Sequence, residues 1–124
     1  MKVLLIEPGK VPAEKEIPHT LDALQEMVGG TVQAIYPFDD PVALLCNDDG
    51  KLLGLPMNRA LHESSDIICG SFAIAGAPPG ASNFTSLTEE QIQRYTKRFW
   101  FPEQFLSIAG AVFVLPDSLL TERG

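Results

Sequence analysis

The sequence predicts an α+β fold: a single domain whose mostly antiparallel sheet of about five strands carries two or three helices, packed on one face. Three observations point there. Short apolar or alternating segments recur along the chain, punctuated by Gly, Pro, Asn and Asp. Two segments place apolar residues at helical spacing between start and stop signals. The segments follow the order β-β-α-β-β-β-loop-β-α, with no internal repeat and no linker.

Lys2–Ile6 is β-branched and apolar and reads as a buried strand. Pro8-Gly9 turns the chain, and Val11–Ile17 pairs back as an edge strand, a position that tolerates Pro12. Thr20 then caps a helix with the stripe Leu21, Leu24, Met27 and Val28, which Gly29-Gly30 ends. Thr31–Tyr36 alternates as a strand does. Val42–Cys46 is a continuous apolar strand, the turn Asn47-Asp48-Asp49-Gly50 follows, and Lys51–Leu55 is expected to return beside it.

Asn58–Leu61 suggests a helical turn. Asp66–Ala75 is the longest β-like run, and Gly70 inside it marks a bulge or a close backbone approach. Gly76–Asn83 is a loop. Thr88 and Gln91 have the spacing of a capping box, and Leu87 and Ile92 that of a hydrophobic staple. In this second helix Ile92, Tyr95 and Phe99 face the core. Ala111–Leu115 is a last strand, so the domain spans residues 1–115, and 116–124 are expected to be a flexible tail.

Composition narrows the function. The 124 residues hold 9 Lys and Arg against 16 Asp and Glu, a net charge of −7, so no direct nucleic-acid binding is expected. No apolar run is long enough for a membrane helix or a secretory signal, which predicts a cytoplasmic protein. Cys46 and Cys69 read as small buried hydrophobes. With His19 and His62 they form no metal signature, and no cofactor is implied. The GxGxxG, Walker, HExxH and GxSxG patterns are absent, and no catalytic residue is assigned.

Three constellations could carry chemistry. Tyr36–Pro41 holds the adjacent carboxylates Asp39 and Asp40, which suit a cation or an acid–base pair, or simply an acidic loop between prolines. Asn47 and Lys51 lead toward Asn58 and Arg59, whose amide and guanidinium fork suit a small anionic ligand. The plainer reading is a capped turn and a structural ion pair. Phe84, Tyr95 and Arg98 combine rings with positive charge, as a ring-bearing anion requires, or as one core stripe beside solvated charge. The run Phe99–Phe101 is hard to bury in so small a domain and predicts a subunit interface, hence a homo-oligomer.

The stretches Lys2–Gly9, Leu21–Gly30, Tyr36–Ala43, Cys46-Asn47, Gly50–Pro56 and Asn58-Arg59 together resemble a small-protein family of unknown function from phages and mobile elements of Gram-positive bacteria. The resemblance covers roughly residues 1–100. It brings no established catalytic residues and implies a phage or mobile-element accessory protein acting in the host cell.

In that setting the leading reading is an anti-defence protein that sequesters a small, anionic, nucleotide-derived immune signal without catalysis. Asn47, Lys51, Asn58, Arg59, Tyr95 and Arg98 would supply polar contacts, and Phe72 or Phe84 would stack on a base. The second is an acidic inhibitor of a host DNA-handling enzyme, of the anti-restriction or DNA-mimic type, though the carboxylates are scattered in pairs. A third is metal-dependent degradation of the signal through Asp39 and Asp40. A fourth is a structural or replication accessory.

Overall fold

The computed structural model describes residues 1–116. The chain opens with a hairpin of β1 (Lys2–Ile6) and β2 (Ala13–Glu16), antiparallel with Lys2 opposite Glu16 and Leu5 opposite Ala13. Helix α1 (Leu21–Val28) starts where the Thr20 hydroxyl accepts from the Ala23 N–H at 3.2 Å. It stops at Gly29, whose φ of 76° is left-handed, the geometry a glycine reaches without a Cβ penalty. Strands β3 (Val32–Ile35) and β4 (Val42–Asn47) form a second antiparallel hairpin.

A smaller hairpin follows, β5 (Met57–Leu61) with β6 (Asp66–Cys69). Strand β7 (Phe72–Gly76), helix α2 (Glu89–Arg98) and a third hairpin, β8 (Glu103–Ile108) with β9 (Ala111–Pro116), complete the described chain. The main sheet has the order β2-β1-β7-β4-β3, every neighbour antiparallel. The expected α+β class and five-stranded sheet are therefore present, with two helices.

Strand periodicity gives this sheet two faces, and both are covered. On one, Leu4, Ile6, Val42, Leu44, Phe72 and Ile74 pack with Leu61 and Ile68 of the small hairpin and with Leu87, Ile92, Tyr95 and Phe99 around α2. Phe72 meets Phe99 edge-on at 5.3 Å. On the other, Val3, Ala43, Leu45, Ala73 and Ala75 pack with Leu24 of α1. The alanines leave room for a short helix to lie close. The expectation of helices on one face is thus corrected: α1 and α2 lie on opposite faces. That is why β4 and β7 are buried along their whole length.

Three local expectations also change. Lys51–Leu55 is not a strand, because β3 and β7 already occupy both edges of β4. The segment coils instead through Leu53 N–H to Asp49 O and Leu55 N–H to Gly50 O, leaving Leu52 89% exposed. Asn58–Leu61 is strand rather than helical turn. The long run 66–75 is two strands, split at Gly70, whose φ is +86° and where a Cβ would stand 2.7 Å from Leu55 Cδ1. Strand β8 was not foreseen. Of the expected tail 116–124, Pro116 closes β9 and the rest lies outside the described residues.

Candidate functional site

The eight ligand-binding residues expected from the sequence do not meet in one place. Asn58 and Arg59 are buried at 0% and 1% exposure. The Asn58 amide donates to Ile6 O and Gly70 O, both at 2.9 Å, and so ties β5 to β1 and to the Gly70 corner. Its Oδ1 accepts from Arg59 Nη1 at 2.8 Å. Arg59 Nη2 donates to Lys10 O at 2.6 Å and Phe99 O at 3.0 Å. One guanidinium thereby joins the first hairpin's turn to the end of α2. Burial pulls Arg59 below its ordinary pKa, and the charge of Glu103 works against that shift. The carboxylate partner expected for Arg59 is replaced by these backbone carbonyls. Phe72 is at 0% exposure in the core and presents no face for stacking on a ligand.

Tyr95 and Arg98 come together on one side of α2. Tyr95 donates its hydroxyl to Asp40 Oδ2 at 2.7 Å, and Arg94 donates to the same oxygen at 2.5 Å. Burial acts to raise the Asp40 pKa, but the bonds from Tyr95 and Arg94 outweigh it, and the carboxyl ends below its ordinary value. Burial, then the hydrogen bond to Asp40 and the charge of its carboxylate, push the Tyr95 phenol up. Arg98 donates to Glu63 at 2.9 Å and lies over the Phe99 ring at 4.8 Å. The positive charges bordering this hollow of about 450 Å³ are therefore matched by Asp40 and Glu63.

Asn47 and Lys51 border a second hollow of about 200 Å³. Asn47 is buried and structural, donating to Val28 O at 3.1 Å and accepting from Asp49 N–H at 2.8 Å. Lys51 is bound to Asp66. Asp39 and Asp40 do not gather a metal site: no group of three or more His, Cys, Asp or Glu side chains placed to hold an ion occurs among the described residues.

The eighth residue, Phe84, lies elsewhere. It is half-buried against the α1 face of the sheet and lines a cleft of about 420 Å³ with His19, Thr20, Tyr36, Ser82 and Asn83. That volume is within the range of small-molecule sites. The register explains the convergence. Strand β3 runs back alongside α1, so Tyr36 just beyond it returns to the helix start. Val42 of β4 lies opposite Gly76 of β7, which places the loop after β7 at the same rim. The loop is anchored by Gly76 and Thr85, which exchange two N–H···O bonds of 2.8 Å.

The cleft joins aromatic surface to uncommitted polar groups. Tyr36 is 64% exposed. The His19, Ser82 and Asn83 side chains bond to no other described residue. None of the lining residues is acidic, in a chain with 16 carboxylates. Of the lining residues Phe84 alone stood in the ligand set read from the sequence, and His19, Thr20, Tyr36, Ser82 and Asn83 did not. The proline-glycine loop beside a capped helix start was the available signal.

No described helix is long and apolar enough to cross a membrane. No curated protein and no solved structure matches the chain. A family model described as a domain of unknown function (DUF3846) matches residues 1–100, which take in the whole five-stranded sheet, both helices and the cleft. The chain belongs to that DUF3846 family.

Proposed function

We propose that this chain is a non-catalytic binding protein that takes a small nucleotide-like anion into the cleft between α1 and the 77–84 loop. The observation that carries this reading is the composition of that cleft. Tyr36 and Phe84 offer ring faces to a base, on which stacking contributes about 1–3 kcal/mol. His19, Thr20, Ser82 and Asn83 offer polar partners, and the first amides of α1 favour negative charge. The lack of lining carboxylates spares an anion the repulsion it would meet on the rest of a −7 chain.

The resemblance to phage and mobile-element proteins suggests the use: sequestering a nucleotide-derived immune signal in the cytoplasm of a host cell. The DNA-mimic reading ranks behind it. Glu7, Glu14, Glu16, Asp40, Glu63, Asp66 and Glu90 each sit in an ion pair with a cation of this chain, which breaks up any stripe of free negative charge.

Calorimetric titration with a mononucleotide, a cyclic mononucleotide and a cyclic dinucleotide tests the reading. At least one is expected to bind and to be recovered intact after denaturation. Tyr36→Ala and Phe84→Ala should each weaken it about tenfold or more. Unchanged affinity in both variants, or conversion of the nucleotide to a product, would sink the reading.

A further inference from the structure

We infer that the β8–β9 hairpin is a dimerisation arm through which two copies of this chain associate, independently of any ligand in the cleft. The hairpin belongs to neither packed core. Its root is held where Ala60 N–H donates to Glu103 Oε1 at 2.7 Å, and from Leu106 to Phe113 every residue is exposed. A lone two-stranded hairpin is marginal in water, so its stability has to come from a surface that covers it.

The arm is apolar on both faces. Leu106 opposite Phe113 and Ile108 opposite Ala111 make one face, and Phe105 opposite Val114 makes part of the other. Leu106, Ile108, Val112 and Phe113 are 43, 59, 41 and 50% exposed, and Trp100 and Phe101 at the root are 46 and 52% exposed. Six half-bare side chains of this size present roughly 500 Å². A standard interface needs about 800 Å² per partner, of which the buried centre is mostly apolar. The patch thus matches the apolar share of one stable dimer half.

Charge selects a second copy as the occupant. From Gln104 to Pro116 there is no Asp, Glu, Lys or Arg, in a chain that is 20% charged with a net −7. Two like-charged copies repel least where neither carries charge, whereas a partner recruited by charge would find nothing to pair with on the arm itself. The geometry is also self-complementary. Among the described residues β9 pairs with β8 alone, and a free strand edge can pair antiparallel with its own copy about a two-fold axis. The groove lined by Ile92, Thr96, Trp100 and Phe101, with Gln93 and Lys97 beside them, adjoins the root and can receive the second arm.

Sedimentation velocity on the full chain at micromolar concentration is expected to give a species near twice the 13.5 kDa chain mass. Ile108→Glu and Phe113→Glu, each at an exposed position, should weaken self-association about tenfold or more while circular dichroism and the unfolding midpoint of the monomer stay close to wild type. A Lys15→Glu control on the exposed edge strand should leave the dimer intact. A wild-type monomer would overturn the inference. A dimer that persists in both arm variants would overturn it equally.

Discussion

Removing the Arg59 guanidinium takes the donor from the buried bonds to the carbonyls of Asn58 and Phe99 and from the part-buried bond to that of Lys10. Buried acceptors left unpaired cost more than the net worth of the bonds that held them. Arg59→Ala is therefore expected to lower unfolding free energy by about 3 kcal/mol or more, measured by urea titration. Arg59→Lys should recover little of it, because one ammonium cannot reproduce a fork that reaches Lys10 and Phe99 together. A loss under about 1 kcal/mol would show that those carbonyls have other donors. Asp40 gives a pH prediction of definite sign. Its folded pKa is depressed, so it stabilises the fold above its ordinary value of 3.8, and that stability is lost as pH falls through the folded value. Asp40→Asn should flatten that part of the acid limb in stability measured against pH. An unchanged limb would assign it to other carboxylates.

At the scale of elements, Gly76 sits at the junction of β7 with the loop that lines the cleft. A Cβ there would lie 2.4 Å from Thr85 Oγ1 and 2.9 Å from the carbonyl oxygens of Thr85 and Ser86. Backbone cannot yield as a flexible side chain can. Gly76→Ala is expected to cost about 1–3 kcal/mol and to weaken ligand binding with it, since Phe84 is the neighbour of the displaced segment. Calorimetry of unfolding and titration of the variant read the two effects. Loss of neither would mean that residues 84–86 move away freely. Elements written in local signals were legible in the sequence. The Thr88–Gln91 capping box and the Thr20 cap are both present in the structure. Elements decided by competition were not. Lys51–Leu55 has the composition of a strand but no free edge on β4, and Asn58-Arg59 has the chemistry of a ligand site but is consumed by backbone carbonyls.

For the whole molecule, the same distinction governs the candidate site. Tyr36 and Phe84 were each noticed in the sequence, 48 positions apart, but nothing in their spacing says that they share a rim. That follows from the register of β3, β4 and β7, a long-range property. The layers divide the labour as well. Both sheet faces are spent on packing against α1 and α2, so the surfaces left for the proposed recognition are the rim, at the cleft, and the arm outside the body.

The strand order β2-β1-β7-β4-β3 also bears on how the chain reaches this state. Its middle strand is the last of the five to be synthesised. The β1–β2 and β3–β4 hairpins are local and can close early, but each then holds an open inner edge until residues 72–76 arrive between them. Strand β7 acts as a keystone, whose long-range pairing makes assembly of the main sheet a late and slow event. During translation the two half-sheets wait with unpaired edges, and this interval is where the chain is most open to misassociation.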